Sequence, residues 1–188
     1  MLEAYFAKKG RIIGIEPDPT IFAILRKNAS LHGDLIETFN VAIGNENRNI
    51  QFWIDEQEGG NNSLSIENTR GDTHPIEVSM STIDEFVLKT SAVPDIVVMD
   101  IQGAEILAFK GMESLFKTHP PKILFLELWP FGLRKVGSDV SEFADILHDH
   151  GYRLRHIDPR SRLPNPEHEW ESLIRHCDTT KNGKGFCN

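Results

Sequence analysis

Three acidic side chains stand where short apolar runs end. Arg11-Ile-Ile-Gly-Ile-Glu16, Pro94-Asp-Ile-Val-Val-Met-Asp100 and Lys122-Ile-Leu-Phe-Leu-Glu127 each read as a buried parallel strand closing on a carboxylate. In an open α/β sheet ligands bind outside the carboxyl ends of the strands, so Glu16, Asp100 and Glu127 are expected along one rim. Each also has a plainer reading, since a strand-end carboxylate can cap the next helix or pair with a nearby arginine. Glu16 is the most informative of the three. An acid ending an early strand can accept hydrogen bonds from the vicinal hydroxyls of a ribose, and a charged acceptor strengthens them. Several classes of enzyme that bind an adenosine cofactor share this logic, so Glu16 alone specifies the ribose and no more.

The elements that must position these acids follow from the same pattern. After Glu16, the run Pro17-Asp18-Pro19 switches the chain into a helix: Asp18 can cap it, and Pro19 occupies the first position, where its missing N–H costs nothing. Phe22, Leu25 and Ala29 continue at helical spacing, and Gly33 closes the segment. A second strand is expected over Ile36 to Ile43. Between Ile50 and Ser79, Gln51-Phe-Trp-Ile, Ser63-Leu-Ser-Ile and Ile76-Glu-Val-Ser are short alternating runs separated by Gly, Asn and Asp, which predicts a small antiparallel excursion with Asn61, Asn62 and Ser63 in its loop. Thr82 to Lys89 reads as a short helix. Ala104, Leu107, Ala108, Gly111 and Leu115 form one helical stripe, and Val140, Phe143, Ala144 and Leu147 another, closed by Gly151. Tyr152 to Ile157 and Trp170 to Ile174 read as the last two strands. Strands alternating with helices define an α/β fold with a mainly parallel sheet.

The bulk numbers narrow the partners. The 188 residues suit one domain, 1–188, with residues 50–80 as the excursion and 177–188 as a flexible tail; 39% hydrophobic and 26% charged residues are those of a globular chain. A formal charge of −8 offers no basic footprint for nucleic acid or an anionic membrane, and no apolar stretch approaches a membrane span. Cys177 and Cys187 are the only cysteines; reduced thiols in a cytoplasmic protein are expected, with a tail disulfide as the alternative. The first ten residues read as the last turns of an amphipathic helix stopped by Gly10, not as a signal peptide. Eight histidines show no zinc spacing, and His148 and His150, two apart, do not share a helix face, so no metal site is expected.

Ile15-Glu16-Pro17-Asp18-Pro19 with Phe22, Leu25 and Asn28, then Thr82-Ile83-Asp84, Asp100-Ile101-Gln102-Gly103-Ala104-Glu105, Lys110-Gly111 and Glu127-Leu128, resemble the FkbM family of methyltransferases. The resemblance runs from about residue 1 to about residue 150, and the Asp-Ile-Gln-Gly-Ala-Glu block is its most specific part. It implies a Rossmann-like class I methyltransferase sheet, mainly parallel with an antiparallel C-terminal strand, and S-adenosyl-L-methionine as cofactor. Glu16, with Pro17 beside it, would hold the ribose hydroxyls. Val41 and Ala42 would lie near the adenine, and Asn62 and Ser63 would belong to a polar loop close to the pocket. Asp100 would face the methyl-donor end of the cofactor or position the acceptor. Asp100 and Glu105 are the candidate catalytic residues, able to take or orient the proton of a hydroxyl. For Glu105 a competing account is its place in the first turn of a helix, where the dipole favours an acid. The implied acceptor is a sugar or small natural product methylated on oxygen; a homo-oligomer stays open.

The sequence departs from the family pattern in two places. The family opens with a strand and Gly-rich turn upstream of the residue matching Glu16; neither occurs here, so a first strand and loop are expected to be missing from the sheet. The family also often carries Lys before the residue matching Asp100, where this chain has Met99. Two other readings remain beside the enzyme: an inactive fragment or interaction domain of the same fold, and a nicotinamide-dependent oxidoreductase sharing only the ribose acid.

Overall fold

The computed structural model describes residues 10–57, 59–157 and 170–179. It begins with β1 (Ile12–Ile15), whose apolar residues run in parallel register against β2 (Ile36–Phe39), from Ile12 opposite Ile36 to Ile15 opposite Phe39. The crossover is α1 (Pro19–Ser30), started as its sequence dictates: the Asp18 carboxylate accepts from the amides of Thr20 and Ile21, and Pro19 sits in the first turn.

The strand expected over Ile36 to Ile43 is divided. Asn40 turns its side-chain amide back to donate to the carbonyls of Glu16 at 2.8 Å and Pro17 at 2.9 Å. The chain then leaves β1, and β3 (Ala42–Ile43) joins a different sheet beside β5 (Thr73–Ser81). There β4 (Arg48–Asp55) pairs antiparallel with β5, giving the order β3-β5-β4. Inward alternation seals this sheet on a small core of Ala42, Ile50, Phe52, Val78 and Met80. The antiparallel excursion is therefore present, with one correction: Ser63 to Ile66 forms no strand, and only an isolated bridge joins Ser63 to Trp53.

After α2 (Ile83–Thr90), β6 (Ile96–Met99) pairs in parallel with β7 (Ile123–Leu126), from Ile96 opposite Ile123 to Met99 opposite Leu126. The stripe from Ala104 to Leu115 is two helices and not one, α3 (Glu105–Lys110) and α4 (Glu113–Thr118). The break lies at Gly111, where a side chain would sit 2.1 Å from the Gly44 carbonyl oxygen. The Asp84 carboxylate receives the amides of Ser114 at 2.8 Å and Leu115 at 2.9 Å, capping the restarted helix. Then come α5 (Pro130–Lys135), α6 (Val140–Asp149) and α7 (Trp170–Thr179). Ile106, Phe109, Met112, Leu133 and Phe143, each no more than 1% exposed, form the centre of the main core.

The C-terminal expectation is corrected. Tyr152 to His156 has no regular secondary structure and Ile157 is only a bridge residue, while Trp170 to Ile174 lies within α7. The spacing of Trp170, Leu173 and Ile174 is helical, and Leu173 and Ile174 pack on the main core. These residues therefore supply no antiparallel C-terminal strand. Of the tail, 177–179 continue α7, and 180–188 lie outside the described residues, as do Cys187 and the helix expected over residues 1–9. Among the described residues β1 pairs only with β2 and β6 only with β7. No helix among them is long and apolar enough to cross a membrane. The outcome is a mixed α/β fold whose strand pairs are parallel except for β4 with β5.

Candidate active site

The loop after β6 is built by backbone that only certain residues tolerate. Gln102 and Gly103 both take positive φ, 53° and 92°. At Gly103 a Cβ would lie 2.4 Å from the Gly132 carbonyl carbon, so the close approach of two backbones excludes any side chain. This sharp turn leaves Asp100 exposed at the strand end and swings Glu105 inward as the first residue of α3.

Glu105 is 1% exposed. The Ile101 amide donates to its Oε1 at 3.3 Å, and the Gly103 amide and its own also support it, yet Oε2 has no partner. Burial pushes its pKa up to about 7 against the pull of those amides, and the nearby Asp100 charge adds to the rise. Glu127, immediately after β7, stands beside Asp100 because Met99 and Leu126 are in register. Its pKa is also raised to about 7, first by burial, then by repulsion from Asp100 and Glu105 and by a hydrogen bond with Asp100, while Arg70 opposes. Asp100 is held in turn by the Gln102 side-chain amide at 2.9 Å.

The Glu16 amide donates to the Phe39 carbonyl at 3.1 Å, carrying the β1–β2 pairing one step further. One carboxylate oxygen receives the Asp18 amide at 2.8 Å. Burial raises the Glu16 pKa; the Asp18 amide lowers it, and the Asp18 charge adds a smaller rise.

A single polar loop connects the two ends. Asn62, buried, donates to Asp18 at 2.8 Å and accepts from the Asp55 amide at 2.8 Å. The next residue, Ser63, donates to the Gln102 carbonyl at 3.3 Å. Asn68 reinforces this tie, its amide reaching the Gln102 carbonyl at 2.9 Å, the Gly132 carbonyl at 3.3 Å and Ser63 at 3.2 Å. Residues 62–68 thus bring the turn after Glu16 and the turn after Asp100 onto one support.

Among the residues singled out from sequence, Glu16, Pro17, Asn62, Ser63, Asp100 and Glu105 are drawn to this support. Asn62 and Ser63 spend their polar groups on protein partners. Val41 is half-buried at the chain's departure from β2, and Ala42 is enclosed in the core of the antiparallel sheet. Sequence reasoning left three contributors unassigned: Asn40, Asn68 and the pairing of Glu127 with Asp100. Asn68 gives no local signal, because the two carbonyls that it ties to the loop lie 34 and 64 residues away. Two concavities, of about 330 and 260 Å³, lie elsewhere, the first lined by Asn45, Arg48 and Met80 among others, the second by Phe109, Phe116 and His150 among others. Among the described residues no group of three or more His, Cys, Asp or Glu is placed to hold a metal ion.

In a mixed α/β fold with acids ending two parallel strand pairs, the place for a ligand is outside the carboxyl ends of those strands. The chain belongs to the FkbM methyltransferase family: the family's methyltransferase FkbM domain matches residues 2–154. Among solved structures, the chain is similar to the crystal structure of methyltransferase FkbM from Methylobacillus flagellatus KT at 2.20 Å resolution, with 18% identity and a TM-score of 0.47 over 73% of this chain. The chain spans 30% of that protein's length. No curated protein matches the sequence.

Proposed function

We propose that the protein transfers a methyl group from S-adenosyl-L-methionine to a hydroxyl oxygen of a sugar or small natural product. The observation that carries this reading is the shared loop, which draws the turn after Glu16 and the turn after Asp100 together through Asn62, Ser63 and Asn68. The cofactor fits the residues present. Glu16 commits one carboxylate oxygen to the Asp18 amide, which leaves the other to accept from a diol. When bound, the cofactor supplies an activated methyl on a sulfonium. The chain's own work is then to hold and align. Glu16 and Pro17 hold the ribose end, with Val41 toward the adenine, while Ala42 is enclosed in the core behind it. Asn62 and Ser63 fix the distance between the two strand ends. Asp100 orients the acceptor hydroxyl, and Glu105, closed off from solvent, holds a proton behind it.

The net charge is compatible with this acceptor class. A chain of formal charge −8 is proposed to take a neutral small molecule or glycan in a cytoplasmic setting, with no nucleic-acid or membrane partner. A second reading, a non-catalytic interaction domain of the same fold, is favoured by the one-sided pairing of β1 and β6 among the described residues. Calorimetric titration with S-adenosylhomocysteine separates the two. Stoichiometric binding supports the enzyme, and no heat up to millimolar ligand would sink it in favour of the interaction domain.

A further inference from the structure

We propose that Asp100 and Glu127 form one proton-sharing pair that takes the proton of the acceptor hydroxyl, so that Glu127 is a further catalytic residue of the site. This assignment rests on the methyl-transfer reading above. Its geometric basis is the parallel register of β6 and β7. Met99 lies opposite Leu126, and the Glu127 amide donates to the Met99 carbonyl at 3.2 Å, so the two acids that follow these strands stand side by side at one sheet end. Two carboxyl groups held side by side disfavour each other's charge, and the proton of the pair is held at Glu127, the member whose pKa burial and the Asp100 charge raise.

A second observation points inward to the same place. Glu105 is near enough for its charge to act on Glu127 and for that of Asp100 to act on it, and its Oε2 is buried without any partner. Solvent access grades across the three: Glu105 is closed off, Glu127 is half-buried and Asp100 is exposed. The pair, and not Glu105, is therefore what a ligand can reach. The charged groups facing it are Glu105 from α3, which favours the protonated form, and Arg70 from the loop before β5, which favours the ionised one. A base titrating near 7 is matched to general-base work at neutral pH.

The step balances on these atoms. The acceptor's O–H bond breaks and its proton passes to the ionised carboxyl of the pair. The electron pair stays on the acceptor oxygen for its new bond to the methyl carbon. The bond from that carbon to the sulfur of the donor breaks, leaving its electrons on sulfur. Proton return to solvent through Asp100 resets the pair.

The test is a carboxyl-carbon NMR titration of the full chain with labelled glutamate, in which Glu127→Gln identifies the Glu127 resonance by deleting it. Glu127 is expected to titrate near 7 and to fall by roughly one pH unit or more in Asp100→Asn, or in Asp100→Ser should the first variant not fold. A Glu127 midpoint in the ordinary carboxylate range, or one unmoved by loss of the Asp100 charge, overturns the pair. Calorimetry with S-adenosylhomocysteine on the same samples separates the two levels. Binding with an ordinary Glu127 titration removes this proposal and leaves methyl transfer standing. A shifted titration with no binding removes methyl transfer, and the catalytic role with it.

Discussion

The buried Glu105 ties stability to pH with a definite sign. Its ordinary pKa of 4.5 rises to about 7 in the folded chain, so between those values the folded state keeps a proton that the unfolded state has released. The stabilisation is fully present below 4.5 and is lost as pH rises through about 7. Glu127 adds a slope of the same sign over the same window. Glu105→Gln, which fixes the neutral form, is expected to flatten the fall in Tm from about pH 4 to pH 8 without abolishing it. A fall as steep as in the parent chain would mean that Glu105 is ionised throughout. At the other strand end, Glu16→Ala is expected to weaken S-adenosylhomocysteine binding by roughly 1–3 kcal/mol, the loss of charged hydrogen bonds to a diol. Calorimetry would read an unchanged affinity as a purely structural acid.

At the scale of elements, the family blocks divide into those that face the site and those that join the fold. Thr82-Ile83-Asp84 and Lys110-Gly111 belong to the second group. Thr82 caps α2, Asp84 caps α4, and the Asp84 amide donates to the Gly111 carbonyl at 2.9 Å. Gly111→Ala is expected to cost about 1–3 kcal/mol, because the added carbon meets the Gly44 carbonyl and not a movable side chain. Gly103→Ala combines such a collision with a strained φ. It should lower the urea midpoint further than Gly137→Ala, which has open space and only the left-handed penalty of about 1–2 kcal/mol. Equal midpoints for the two would refute the backbone contact between Gly103 and Gly132. The Asp-Ile-Gln-Gly-Ala-Glu block thus specifies a shape as much as a set of reactive groups.

Across the whole molecule, α3 to α6 supply most of a single large core, and Leu133 is fully enclosed in it. Leu133→Ala should cost about 2–5 kcal/mol in denaturant unfolding; a loss under about 1 kcal/mol would mean that the site collapses around the cavity. The net charge of −8 predicts no retention on heparin at physiological salt, and firm retention would revise the partner class.

How far the sequence reaches depends on the range over which the determining contacts act. The helix starting at Pro19, β1, β6 and β7, and the acids that end them were legible because periodicity, capping and strand length are local properties. The antiparallel excursion was legible from its alternation, and family membership from its two spaced blocks. The division of the second strand was not, because it follows from Asn40 bonding back 23 and 24 residues. No C-terminal strand forms at Trp170 to Ile174, because five residues with apolar groups only at Trp170, Leu173 and Ile174 are too few to fix a period until packing on the core selects the helix. In the sequence the strand-end acids are separate, 84 and 27 residues apart along the chain. Only tertiary structure joined Glu16 to Asp100 through residues 62–68, set Glu127 against Asp100 and buried Glu105 behind them. Register between β6 and β7 and desolvation of α3 arise from packing between distant segments, and these decide which carboxyl groups hold a proton.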